Sequence, residues 1–464
     1  MSRNSVRTII ACNRTLLATA AASALALTST AHGANWVGGT GVWSDVTAPS
    51  PNWDSSSYPN AIGAVAEKTD TTSANVSIDV SGGVTVGTFN LGGSSGNAAF
   101  QAVLANSITF NQDGSGSGIA TISNTNSGSG NAHLAIGSGT MTLADDLLIS
   151  NTSNSGYTYA VNITSSIGSA AGTTTNLTVS NVSNTVPVTL GGANTFKGDV
   201  LIQKGLAAFT YSTGSSFGNS ANKITVGETN GGSVSFISTG SNVNLSNSVT
   251  VAAGTGGTTL LGSSSGATSS NSTFSGLLTL NGDVTLTSSK GTGADTRYTG
   301  GITGGGNITI SGSGLTKFGD DKGTMIANTY TGDTTLTGSS SLTLANNSSL
   351  EFVIGASGMN NRVSGDNNQT LNLLGDFSFD LTNAATSGSW TIVDVNSLNT
   401  TFASTFTVLG GFVENNNVWT KTTGTSTYTF QESTGVLTAT PEPAGLMLLA
   451  GLVGPLTFAR RKRG

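Results

Sequence analysis

The chain has 464 residues, 64 of them glycine, a formal net charge of −6 and only 9% charged residues. Ordinary globular domains carry about 25% charge, so a charge-dense catalytic groove is not expected, and the lack of a basic stripe in the body argues against nucleic acid as a partner. A single cysteine rules out a disulfide framework.

At the N-terminus Arg3, Arg7 and Arg14 precede an Ala/Leu-rich run from Leu16 to Leu27, and Ala31-His32-Gly33 follows with small residues at the −3 and −1 positions. This order reads as a secretory signal peptide over residues 1–33, cleaved between Gly33 and Ala34. Cys12 lies before the apolar run and would leave with the peptide, so the mature body has no thiol.

The body opens on Asn35-Trp36-Val-Gly-Gly-Thr-Gly-Val-Trp43-Ser-Asp, with Trp53 shortly after. A terminal coil of a stacked fold exposes core and strand edge and needs a cover. Trp36, Trp43 and Trp53 are therefore read first as a cap. Their amphipathic rings also make them the candidate glycan contact. Beyond them come short alternating runs: Val76-Ser-Ile78-Asp-Val80, Val84-Thr-Val86, Val249-Thr-Val251, Leu278-Thr-Leu280, Val284-Thr-Leu286, Ile308-Thr-Ile310, Leu342-Thr-Leu344 and Phe377-Ser-Phe379-Asp-Leu381. Period-two alternation with β-branched residues and Gly-rich punctuation predicts strands throughout and no helix over residues 34–440. Regular apolar placement also separates this polar, Gly-rich chain from a disordered one.

Two segments repeat. Asn194-Thr-Phe196-Lys-Gly198-Asp199-Val-Leu-Ile202 matches Asn328-Thr-Tyr330-Thr-Gly332-Asp333-Thr-Thr-Leu336, and Leu280-Asn-Gly282-Asp283-Val-Thr-Leu286 is a weaker relative. With Gly314-Leu315-Thr316-Lys317 ahead of the second copy, the pattern resembles the autotransporter-associated β-strand repeat. That resemblance implies a right-handed parallel β-helix over residues 34–345. At about 20 to 25 residues per coil the body would form roughly 16 to 20 coils, around 80 to 95 Å long. One signal points elsewhere. Leu278 to Leu286, with Asn281-Gly282 between two alternating runs, reads by local rules as a hairpin, and a row of tandem β-sandwiches is the alternative fold.

From about Leu350 the texture shifts to longer, more aromatic runs, such as Trp390 to Val395 and Tyr428-Thr-Phe430, read as a C-terminal β cap or small β-domain over residues 346–440. Residues 441–464 differ again: Pro441-Glu442-Pro443, an apolar run from Ala444 to Ala459, then Arg460-Arg461-Lys462-Arg463. Sixteen helical residues span about 24 Å, short for a bilayer core of about 30 Å, and the basic end favours the cytoplasmic face. This tail resembles the PEP-CTERM sorting signal. The resemblance implies an exosortase as partner, together with the general secretion machinery. It further implies inner-membrane tethering before processing, then a place at the cell surface or in the extracellular matrix, with exopolysaccharide as the candidate external partner.

Chemistry-bearing residues are sparse. Asp145-Asp146 and Asp320-Asp321-Lys322 are the tight acidic groups, and adjacent residues in a strand point to opposite faces. His133 is the only histidine after residue 33, too few for a zinc cluster. Isolated calcium at Asp199 or Asp333 has weak support. Asn-x-Ser/Thr triplets at Asn75, Asn162, Asn176, Asn244 and Asn307 are expected from composition. The reading is an exported, non-enzymatic structural or adhesin-like protein without cofactor or metal. The alternative is a β-helix polysaccharide-active enzyme, a lyase or hydrolase.

Overall fold

The computed structural model describes residues 33–442 apart from 48–49, 95–97, 129, 154–157, 211–215 and 265–269. The expected signal peptide, except Gly33, and the sorting tail from Pro443 onward, with Arg460 and Arg461, lie outside the described residues. Those residues form an all-β structure without helix, a parallel solenoid of about 12 turns.

Each full turn places strands on three faces. The first face runs from Ala34–Asn35 and Val65–Lys68 to Ser348–Val353 and Asp376–Asp380. The second runs from Gly41–Val42 and Ala74–Ser77 to Val363–Ser364. The third is split into two sheets, one from Val84–Val86 to Ser166–Ser169 and one from Val243–Leu245 to Asn399–Phe402. The expected coil count was too high. Insertions widen many coils; Phe89, for example, pairs with Ile122 across the 111–118 loop. At about 4.8 Å per coil, 12 turns give a rod of roughly 60 Å.

The alternating runs pack as their pattern requires. Val249, Val251, Leu278, Leu280 and Ile302 are buried and stack in register, while Thr250 and Thr279 between them face outward. Burying each such side chain stabilises the fold by about 1.5–3 kcal/mol. The hairpin reading of Leu278–Leu286 is overturned. Leu278–Leu280 pairs with Val249–Val251 and Ile302–Gly304 on the first face, whereas Val284–Ser288 pairs on the second. Gly282 is the corner between them. A Cβ there would stand 2.4 Å from the Ala252 carbonyl oxygen of the coil below. The same corner carries Gly306 and then Gly332, whose added Cβ atoms would stand 2.0 Å from Gly282 O and 2.2 Å from Gly306 O. Close approach of coil to coil demands glycine here, not a turn of hairpin type.

The core is not wholly apolar. Asn124, Asn151 and Asn181 stand in register inside the first face and are buried. Asn151 Nδ2 donates to Asn181 Oδ1 (2.8 Å), and Asn181 Nδ2 donates to the carbonyls of Val186 and Leu206. Stacked amides thus satisfy one another and the corner backbone, as buried polar groups must. Aromatic pairs stack along the axis as well, Phe209 on Phe236 at 4.7 Å and Phe274 on Tyr298 at 5.0 Å.

The two ends are closed differently. At the start Trp36, Trp43 and Trp53 meet edge to face, with centroids 5.1 and 4.7 Å apart. At the finish, parallel pairing continues past residue 345 to Asn399–Phe402. A five-stranded antiparallel sheet, in the order Gly388–Thr391, Val436–Pro441, Ser426–Gln431, Val418–Thr423, Val413–Asn415, then covers the last coil. Phe430 from this sheet packs on Phe377, Phe379, Phe402 and Phe406.

Candidate functional site

Among the described residues, the corners carry regular ladders of polar contacts. An Asp or Asn at, or immediately before, the start of a strand bonds the coil above it. At the first-face corner Asp146 accepts from the Asn176 N–H (2.7 Å), Asn176 Oδ1 accepts from the Asp199 N–H (3.0 Å), and Asp199 accepts from the Lys223 N–H (3.0 Å). At the second-face corner the same series runs Asp283, Asn307, Asp333 and Arg362, with distances of 2.8, 2.8 and 3.0 Å. Each ladder ends on the backbone of a basic residue. Sequence reasoning missed both ladders. Their signal is legible afterwards as an Asx directly ahead of each strand's first inward residue: Asp146-Leu147, Asn176-Leu177, Asp199-Val200, Asp283-Val284, Asn307-Ile308. The amides of the Asn176 and Asn307 triplets are therefore engaged within the rod.

The repeated motif builds these corners. Asn194 and Asn328 are buried, as are Phe196 and Tyr330. Gly198 and Gly332 lie against the coil below, where an added Cβ would be 2.2 Å from Thr175 O and from Gly306 O respectively. Asp199 and Asp333 are the ladder residues whose carboxylates the Lys223 and Arg362 N–H groups reach.

The termini of the rod hold the remaining sequence candidates. Ala34 begins the first strand and pairs with Ala66, while Gly33 sits against Val65. Ala31 lies outside the described residues. Pro441 ends the last strand opposite Ser426, and the Glu442 N–H donates to Thr425 O while its carboxylate accepts from the Thr427 hydroxyl (3.1 Å). Pro441 and Glu442 of the Pro-Glu-Pro motif thus stand at the end of a strand flanked by Gly388–Thr391 and Ser426–Gln431. All three N-terminal tryptophans are fully buried. Their indole N–H groups donate to the carbonyls of Gly39, Pro59 and Trp43. The rings stand in the core of the cap.

The acidic pairs do not converge. Asp146 reaches forward to Asn176, whereas buried Asp145 reaches back, its Oδ2 accepting from the Gln112 and Asp113 N–H groups. Asp320 and Asp321 both donate their N–H to Asn347 Oδ1, and Asp321 pairs with Lys317. Burial opposes the charge of Asp321, but the Lys317 ammonium, the Asn346 N–H and the nearby Arg297 together outweigh it and hold the carboxyl below its ordinary range. Asp199 and Asp333 stand at separate corners. Among the described residues no three His, Cys, Asp or Glu side chains gather as a metal group.

His133 lies nearly buried beside Tyr159, its ring centroid 5.2 Å away. Nδ1–H donates to Asn131 O (3.0 Å), which leaves Nε2 to accept from Gln101 Nε2 (2.8 Å). Burial pushes its pKa below the ordinary imidazole value, so the ring is a neutral packing residue at pH 7. A cleft of about 460 Å³ opens on the third face between Lys290, Asp295, Ser313 and Ser341. Lys290 is nearly buried there, Nζ donating to Gly240 O, and burial pulls its pKa down. Asp295 bonds Arg297 Nε (2.5 Å).

No protein family, no curated protein and no solved structure matches the chain.

Proposed function

We propose that this protein is an exported, non-enzymatic structural or adhesin-like rod that presents repetitive uncharged polar faces at the cell surface or in the extracellular matrix. The carrying observation is the fate of the corner carboxylates. Asp146, Asp199, Asp283 and Asp333 each hold the backbone of the next coil. Carboxylates committed to backbone N–H groups make a stiff, ordered stack and are poorly placed for acid–base work, which needs groups aimed at a substrate. The capped ends support the same reading, since they keep one rod from pairing edge to edge with another.

Export rests on the two terminal signals, with an exosortase and the secretion machinery as partners and exopolysaccharide as the external ligand class. Mass spectrometry of the protein recovered from the cell envelope tests this part. New ends at Ala34 and close to Pro441-Glu442-Pro443 are expected, and an intact Met1–Gly464 chain in the cytosol would refute it. A clean deletion strain tests the rest: weaker matrix cohesion or adhesion is expected, together with no glycan cleavage by the purified body.

A second reading, a polysaccharide-active enzyme, draws on one observation. The third-face cleft brings buried Lys290 to within the same walls as Asp295. Burial lowers the pKa of Lys290, the direction a general base requires. Glycan cleavage that disappears in Lys290→Ala and persists in Lys204→Ala would establish it over the structural reading.

A further inference from the structure

We propose that the 111–118 loop, together with Asp145, binds one calcium ion. The loop reads Asn111-Gln-Asp113-Gly-Ser115-Gly116-Ser117-Gly118 and lies between Ile108–Phe110 and Ile119–Asn124. Oxygen-bearing side chains at first, third and fifth positions followed by glycine at the sixth are the arrangement by which a short loop wraps calcium. Gly116, the sixth, takes φ +76°, the sharp left-handed turn that position needs.

Asp145 supplies the independent observation. It sits at the same corner one coil later, directly before Asp146, which pairs with Ile119. Its side chain is fully buried, with Oδ2 bound to two loop N–H groups, while buried Oδ1 has no hydrogen-bond partner. A buried carboxylate oxygen without a donor is costly, and a cation removes the cost. The acids face one another. A Cβ on Gly118 would meet Asp113 Cγ at 2.8 Å and both Asp113 Oδ1 and Asp145 Oδ2 at 3.0 Å, so only a glycine lets the two carboxylates stand this close.

Two carboxylates with neutral hydroxyl, amide and carbonyl oxygens form a hard, oxygen-only set. Such sets suit calcium over zinc or copper, and a flexible loop suits calcium over magnesium. Few charges place the affinity in the weak range, about 10⁻⁴–10⁻³ M.

Calorimetric titration of the full chain, purified in EDTA and desalted, tests the site. One equivalent of calcium should bind from CaCl2, with a clearly weaker response to MgCl2. Asp145→Asn and Asp113→Asn keep an acceptor oxygen for the local N–H groups, so both variants should retain the native circular dichroism. Each should weaken calcium binding about tenfold or more. Asp199→Asn, at a corner ladder, should bind as the parent does. Absence of calcium binding up to about 10 mM, ten times the weak end of that range, overturns the proposal. Binding unchanged in both Asp145→Asn and Asp113→Asn overturns it too, and an equal magnesium response overturns the choice of ion. If one variant fails to fold, the other alone decides.

Discussion

The two copies of the repeated motif share six positions of a nine-residue pattern yet occupy different corners of the solenoid. Asn194–Ile202 leads into the first face, where Val200 pairs with Leu177 and Ile224. Asn328–Leu336 leads into the second, where Thr334 pairs with Ile308 and Val363. In the first copy the motif crosses the region where the third face has no strand; in the second, Asn328 is itself the last residue of a first-face strand. The motif therefore encodes a corner, independent of which faces it joins. The aromatic fills the core beneath the bend, the glycine lets two coils touch, and the aspartate bolts the next coil down.

The copies also differ in how the asparagine is used. Asn194 Oδ1 accepts from the Ile167 N–H (2.9 Å), and its Nδ2 donates to Ser216 O (2.5 Å). Asn328 donates to Ser348 Oγ and Ser349 O, but its Oδ1 is buried without a partner. Position in the stack, not residue type, decides how much of the side chain is satisfied.

The largest expected effect tests the shared part. Phe196→Ala and Tyr330→Ala should each destabilise by about 3–5 kcal/mol in urea unfolding, because each empties a fully buried site. A cost near zero in one copy would break the equivalence. Next come Gly198→Ala and Gly332→Ala, where crowding against a carbonyl should cost about 1–3 kcal/mol. The first should be the worse, since Gly198 also has φ +137°. The asparagines sharpen the difference. Asn194→Ala strands a buried N–H and should cost about 1–3 kcal/mol, whereas Asn328→Ala also removes an unsatisfied oxygen and should cost measurably less. Equal costs would show that the unpartnered Oδ1 carries no penalty. The smallest effect belongs to the ladders: Asp199→Asn and Asp333→Asn keep the accepting oxygen and should stay within about 0.5 kcal/mol of the parent, while the alanine changes should cost about 1 kcal/mol each.

Legibility followed the range of the interaction. Val249-Thr-Val251 and Ile308-Thr-Ile310 announce strands because inward and outward positions alternate within three residues. The same local rule misread Leu278–Leu286, since a corner with Asn-Gly looks like a hairpin until the partners, Val249–Val251 and Ile302–Gly304, are known. The cluster Trp36, Trp43 and Trp53 was visible as a group, but its complete burial depends on Pro59 and the Gly39 carbonyl closing over the indole nitrogens. The meeting of Asp145 with the 111–118 loop was hidden for a related reason: the two are brought together only by the coil that separates them in the chain.

The amino-acid sequence by itself determined that the body is β-structured, where short alternating strands such as Val249–Val251 and Leu278–Leu280 lie, and that a repeated Asn-Thr-aromatic-x-Gly-Asp segment recurs. Those properties arise from side-chain alternation and backbone preference over a few neighbours. Only the tertiary structure decided which face each strand joins, that one motif serves two corners, that about 12 wide turns replace a longer series of narrow ones, and which carboxylates are bolted to backbone. Those outcomes depend on coil-to-coil contacts between residues a full turn apart in the chain, where the spacing varies with every inserted loop and no short-range pattern records the partner.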